Sequence, residues 1–333
     1  MILSDKDSFV IFSYPYSQDI FIIKGRWGTI KGEIELPDKA FVMSDFSGKD
    51  IQFIEGKKQL LKTNISICSN IEFEEKILDH NTYSKLASLY INNCKLSELD
   101  KIILSRIIKK SHDINDLFPL FKHMVNNHEY AFSYLLSNPK YGMWMGASPE
   151  TLIKGSEEKK FTTIALAGSH KWSENIIWKN KELEEQDFVA KYIEEILNKF
   201  SNNVICSNKL ETVKAGKIAH IKSEFTFTLN SSVLELIKKL HPTPAVCGIP
   251  KDNALKIIEK TEIHKRQLYC GYIGEISNND AELYVNLRCM KISKANFYIF
   301  VGGGITSKSK VEKEWEETQL KAQTMLETIL EYG

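Results

Sequence analysis

The sequence predicts an α+β fold built on large antiparallel sheets, and three observations carry that prediction. Short apolar or alternating runs bounded by Gly, Pro or Asp recur from residue 9 to residue 301, the mark of many strands. Helical stretches interrupt them in blocks, not in a regular strand–helix alternation, which argues against a doubly wound parallel sheet. Hydrophobic residues make up 43% of the 333, ample for a buried core in one large domain or two ordinary ones.

In chain order, FVIFSY, DIFIIKG, AFVMSDF and IQFIEG read as strands within residues 1–75. EKILDHNTYSKLASLYINNCKL and DINDLFPLFKHMVNN read as helices, with KIILSRIIKK between them. Strand signals return at YAFSYLL, YGMWMGAS, TLIKGS and KFTTIALAG. Helices are predicted around 179–200 and 231–239. GYIGEIS, AELYVNLRCMKI and NFYIFVG follow as strands, and a terminal helix begins near Lys310.

Charge and composition exclude several classes. Lys and Arg total 44 against 43 Asp and Glu, so there is no basic excess for a nucleic-acid or acidic-membrane partner. No apolar run approaches a membrane span, and MILSDKDSFVIF has neither the basic start nor the cleavage site of a signal peptide. The six cysteines lack C-x-x-C spacing and fit reduced thiols. A cytoplasmic protein with no nucleic-acid or membrane partner is expected.

The chemistry-bearing stretch is near the C-terminus. Strand-like NFYIFV runs into Gly302, Gly303 and Gly304, then into a helix with Glu314, Glu317 and Lys321 close to one face. Glycines let backbone approach a ligand and offer amides to an anion. With two carboxylates and a lysine they suit an acidic small molecule held with a divalent metal, although a turn and an ordinary i,i+4 pair would look the same. Glu150 follows Pro149 at a strand end, well held for general-acid work. Gly168 and Ser169 end another strand and offer neutral donors. Glu182, Glu184 and Glu185 open a helix with an apolar stripe of Leu183, Val189, Ile193, Ile196 and Leu197; they suit its dipole, or one of them ligates a hard cation. His241 sits in the rigid HPTPAVCG loop. Arg288 is read in a strand, where burial would demand an anionic partner.

Taken in order, KIILSR, GASPE, ALAGS, K-x-L-x-E, HPTPAVCG, LRCMKI, GGG and EWEETQLK resemble the chorismate-utilising enzyme family. The resemblance implies a single α+β domain over 1–333: two large antiparallel β-sheets packed together with flanking helices, and a site in a cleft between them. Residues 95–331 would form the chorismate-binding core and 1–94 a strand-rich part without family signature. It implies Mg2+ on Glu185 and Glu317. Lys321 and Arg288 would face the two substrate carboxylates, with Gly168, Ser169, His241, Gly302 and Gly303 among the substrate-binding residues.

Family members add different nucleophiles at C2 of chorismate while the C4 hydroxyl leaves with acid assistance. Lys101 stands where water-using members carry a general base. Ala167 stands where aminodeoxychorismate synthases carry a nucleophilic lysine. The resemblance therefore implies an isochorismate synthase, with Lys101 as base and Glu150 as acid. It needs no glutamine amidotransferase subunit, and a monomer and a place in menaquinone rather than siderophore biosynthesis are expected. A salicylate synthase uses much the same residues, and a non-catalytic chorismate-binding protein is the alternative from another class. Gln186 replaces the family's usual histidine, and His170-Lys171 replace a more arginine-rich stretch; both are expected to tune the site from its surroundings.

Overall fold

The computed structural model describes residues 1–30, 39–96, 98–156, 160–215 and 218–332. Among them are six helices: α1 (His80–Lys95), α2 (Leu117–Asn127), α3 (Asn180–Phe200), α4 (Val233–Leu240), α5 (Lys251–Thr261) and α6 (Val311–Tyr332). Polar caps fix several starts. Asp79 accepts from Thr82 N, Asp116 from Phe118 N and Ser232 from Glu235 N, each satisfying an otherwise orphan amide. The Asp79 cap starts α1 at residue 80, so 75–79 of the expected helix stay irregular.

The strands form two nine-stranded antiparallel sheets and one small parallel pair, Ile2–Ser4 with Ser66–Cys68. The first sheet runs in space through Gly248–Ile249, Lys101–Ser111, Asn296–Ile305, Cys289–Ile292, Gly142–Ser148, Phe132–Asn138, Phe9–Ser13, Phe21–Lys24 and Gln59–Leu60. The second runs through Ser201–Ala215, Ile218–Leu229, Phe161–Lys171, Thr151–Ser156, Asp280–Val285, Tyr272–Ile276, Ala40–Ser44, Ile51–Glu55 and Arg26–Ile30. The N-terminal strands are thus woven into both sheets.

Side-chain alternation builds two cores. Val10, Phe12, Tyr134, Leu136, Trp144, Tyr298 and Phe300 point from the first sheet into the larger core, which the second sheet also lines. There Phe12 meets Phe41 at 4.9 Å and Phe132 stacks on Tyr284 at 4.6 Å between ring centroids. The alternate residues Ile11, Leu135, Met143, Met145, Ile299 and Val301 join a second core with α2 and α6. Helix α3 buries Val189, Ile193 and Leu197, each worth about 1.5–3 kcal/mol of burial.

Five short strands, Ile2–Ser4, Arg26–Ile30, Gln59–Leu60, Ser66–Cys68 and Gly248–Ile249, escaped the sequence reading, as did two longer segments. The hairpin of Ser201–Ala215 with Ile218–Leu229 has an outer strand too polar to show a pattern. Helix α5 buries only Ala254 and Ile258, too narrow a stripe to detect. Arg288 is a correction: it lies between the Asp280–Val285 and Cys289–Ile292 strands with φ +48, not within one.

Candidate active site

The chain crosses between the two sheets at two neighbouring corners, and each delivers a charged side chain. At Ser148-Pro149-Glu150 it leaves the Gly142–Ser148 strand of the first sheet for Thr151–Ser156 of the second. At Asn286-Leu287-Arg288 it returns from Asp280–Val285 to Cys289–Ile292. The corners are tied together: Val285 N donates to Glu150 O at 2.9 Å, Ala147 N to Arg288 O at 3.0 Å, and Ser148 Oγ to Val285 O. Glu150 and Arg288 therefore stand on one rigid joint and face one cleft.

That cleft also takes in Lys101, Gly168, Ser169, Glu185, Gly302, Gly303, Gly304 and Lys321. Lys101 opens its strand and is 1% exposed, with Nζ 2.9 Å from Glu185 Oε1. The three glycines are not a turn. They stay in the Asn296–Ile305 strand, opposite Ser105, Leu104 and Ile103, and clear space for carboxylates. A Cβ on Gly304 would lie 2.3 Å from Glu185 Oε1, whereas one on Gly303 would lie 3.7 Å from Glu317 Oε1. Gly168 sits at a bulge with φ +68, where an L side chain would be strained.

Lysines and carboxylates are matched around the cleft. Lys321 Nζ lies 2.8 Å from Glu317 and donates to Gly302 O at 3.1 Å; Lys181 Nζ lies 2.6 Å from Glu314. Burial raises the Glu185 carboxyl, but Lys101, Lys181 and Lys321 outweigh it and hold the group below the usual carboxylate range. Glu314 moves the other way, raised by burial and by Glu317.

Glu150 is buried and its carboxyl is pushed up to about 8 by burial, against the pull of Lys101, Lys321 and Arg288. It therefore holds a proton at neutrality, as a general acid must. Turnover should hold from neutrality to about pH 8 and then fall roughly tenfold per pH unit as this proton is lost. A kcat profile flat through pH 9.5 would remove Glu150 from that role.

His220, which the sequence reading missed, lines the cleft too. Its Nδ1 lies 2.9 Å from Gly168 O and its Nε2 3.4 Å from Arg288 Nη2. Burial, then Arg288 and Lys321, depress its pKa to about 3, so it is a neutral imidazole giving Nδ1–H to the carbonyl. It faces the cleft by strand alternation, which was invisible without its pairing to Phe161–Lys171. Tyr269 and Cys270 are further lining residues that no motif marked.

Two expected residues stand differently. His241 is not at the cleft: its Nε2 lies 3.1 Å from Phe46 O and its ring packs edge-on to Tyr272. It anchors the loop whose Ala245 and Val246 do reach the cleft. Glu317 borders it from α6 through Lys321 and the Gly303 backbone. Gln186 is fully buried behind Glu185, donating to Ala165 O at 3.0 Å and Ser223 Oγ at 3.2 Å.

Among the described residues, no three His, Cys, Asp or Glu side chains converge into a ready metal cage, and Glu185, Glu314 and Glu317 are each turned to a lysine. The donor chemistry nevertheless fits a hard divalent cation. Glu185 offers an oxygen into space that Gly304 leaves open, Glu317 and Glu314 each bring an oxygen to within 4 Å of one point beside Gly303, and Glu314 Oε2 is buried.

Fold and cleft together define an enzyme site for a small acidic substrate, on a chain in which no described helix is long and apolar enough to cross a membrane. Comparison with known proteins narrows the class. The family described as chorismate binding enzyme matches residues 45–330. The isochorismate synthase EntC of Escherichia coli K12 is 27% identical over 271 residues, covering 77% of this chain and 69% of its own. The isochorismate synthase DhbC of Bacillus subtilis is 30% identical over 253 residues, covering 69% and 63%. The match thus spans about two thirds of each relative's length. The crystal structure of DhbC from Bacillus anthracis aligns at TM-score 0.83 and 25% identity, over 97% of this chain and 96% of that one. The chain belongs to the chorismate binding enzyme family. The family match starts at residue 45, well before the boundary at 95 expected from the motifs.

Proposed function

We propose that the protein is an isochorismate synthase, converting chorismate to isochorismate with a divalent metal, Mg2+, as cofactor. The observation that carries the reading is a buried Glu150, its carboxyl pushed up to about 8 by burial, in the same cleft as Lys101, with alanine at position 167. Lys101, paired with Glu185 as an ammonium, first gives up its proton; the neutral Nζ then takes a proton from water as the water oxygen bonds to C2. Both ring double bonds shift, and the Glu150 carboxyl gives its proton to the C4 hydroxyl, which leaves as water. Hydroxyl enters and hydroxyl leaves, so the free-energy change is small and the reaction runs both ways.

Arg288 and Lys321 supply positive charge for the substrate carboxylates, and Gly168, Ser169, Gly302 and Gly303 supply close backbone and hydroxyl contacts. Arg288 is well suited, because burial leaves its guanidinium short of a carboxylate partner: it reaches His220 Nε2 at 3.4 Å and the Lys321 carbonyl at 3.5 Å. Glu185 and Glu317 would hold the metal, which when bound adds positive charge against the ring carboxylate. Turning Glu185 away from Lys101 frees Nζ for water.

Incubation with chorismate and Mg2+ in 18O-labelled water tests the reading. Label should appear on the C2 hydroxyl of isochorismate, and isochorismate supplied alone should regenerate chorismate. Pyruvate accumulating in step with salicylate would replace this assignment by salicylate synthase. Chorismate bound but unchanged would leave a non-catalytic binding protein.

A further inference from the structure

We propose that Lys181 sets how tightly the site takes the divalent cation: it neutralises Glu314 in the metal-free protein, and its positive charge opposes an ion at the other oxygen of that carboxylate. The inference rests on the reading of Glu185 and Glu317 as metal ligands. Three carboxylates, Glu185, Glu314 and Glu317, face three lysines, Lys101, Lys181 and Lys321, at 2.9, 2.6 and 2.8 Å respectively. Lys101 and Lys321 line the cleft and have work to do on water and substrate. Lys181 does not line it. It sits in the first turn of α3, one turn before Glu185, and its ammonium reaches across to α6.

Its partner is unusual. Glu314 is 1% exposed, with Oε1 on Lys181 and Oε2 buried with no well-aligned hydrogen bond among the described residues, although the Ser309 hydroxyl acts on the carboxyl. A buried carboxylate left half-satisfied costs stability, so the empty oxygen marks a position that something else completes. That oxygen lies 3.8 Å from where a Gly303 Cβ would be, and the Glu317 carboxylate lies 3.7 Å from the same point. A cation between these carboxylates completes Glu314 and meets the Lys181 ammonium at close range. The ion pair with Glu314 at 2.6 Å holds the Lys181 ammonium beside that position, and like charges repel the incoming ion.

The test is Mg2+ titration by calorimetry, without substrate, into the wild type, Lys181→Gln and Lys181→Arg, with melting temperatures in EDTA and in Mg2+. Glutamine keeps a donor for Glu314 Oε1 but no charge. Lys181→Gln should bind Mg2+ about tenfold tighter or more, and its melting temperature should drop in EDTA and recover in Mg2+. Lys181→Arg should behave as the wild type. If Lys181→Gln folds only with Mg2+ while the wild type survives EDTA, the same conclusion holds. An Mg2+ affinity equal to or weaker than wild type in Lys181→Gln would overturn the proposal and leave an ordinary helix-to-helix ion pair. A wild type that takes up no Mg2+ would overturn the metal assignment itself, and this proposal with it.

Discussion

Lys101→Gln should lower kcat by about 10²–10⁴-fold, the usual scale for a general base, in a protein that still folds and still binds chorismate. The substitution is chosen for its local chemistry. Lys101 is buried, and its only ion-pair partner among the described residues is Glu185 Oε1. Alanine would leave a void and strand that carboxylate, and lost activity would then mix with lost stability. Glutamine fills most of the volume and keeps a donor towards Oε1 but not the charge, so melting temperature should fall in EDTA and recover in Mg2+ while chemistry stays stopped. Stopped turnover with intact binding, measured by calorimetry against chorismate, places the defect in the chemical step. Wild-type kcat in the folded variant would take Lys101 out of the reaction and leave water without its base.

Gly304→Ala should be comparably damaging, for a reason of space alone. Its added Cβ would lie 2.3 Å from Glu185 Oε1 and 2.9 Å from Lys101 Cε. Neither contact is tolerable, and both side chains must move. A displacement of about 1 Å at reacting groups costs on the order of a hundredfold in rate, and Mg2+ affinity should fall with it. Gly303→Ala is the control. Its Cβ meets nothing nearer than 3.7 Å, so Glu185 and Lys101 need not move and the loss of activity should be far smaller than in Gly304→Ala. Equal losses in the two variants would mean that general strand packing, not the carboxylate cradle, sets the need for glycine.

The contrast between these neighbours shows what the sequence could and could not tell. Gly-Gly-Gly next to two glutamates and a lysine announced a site, but the residue pattern read equally as a turn. Only the register against Lys101–Ser111 shows that the glycines continue a strand and that Gly304, not Gly302, abuts Glu185. Glu150 was legible because Pro149 and the strand end precede it; the cause of its raised pKa was not, because burial comes from elements far away in sequence. Arg288 was expected in a strand since LYVNLRCMKI is apolar enough for one, and the corner between sheets leaves no local signal. His241 reads by itself as a loop anchor and is set among the substrate-binding residues only by the family resemblance; its ring hydrogen-bonds Phe46 O, away from the cleft. His220 lay in a hairpin that the reading did not find at all. The sheet architecture itself was legible from periodicity, and its doubling into two packed layers from the order of the motifs.

The weave of the N-terminal strands has a cost that concerns how the molecule is made. Ala40–Ser44 is buried throughout and pairs with Tyr272–Ile276, Met43 standing opposite Ile273. Those partners are 230 positions apart by subtraction of their residue numbers. At about 5–20 residues per second of synthesis, roughly ten to fifty seconds pass before the partner strand leaves the ribosome. Through that interval an apolar strand, paired on one side only with the nearby Ile51–Glu55, waits with its other edge open, the condition under which nascent chains aggregate. Pairings so distant also close large loops before any contact rewards them, which slows refolding. Recovery from denaturant should therefore be slow and concentration-sensitive, and a nascent-chain holdase should raise the yield of folded enzyme more than it raises the yield of a helical protein of equal length.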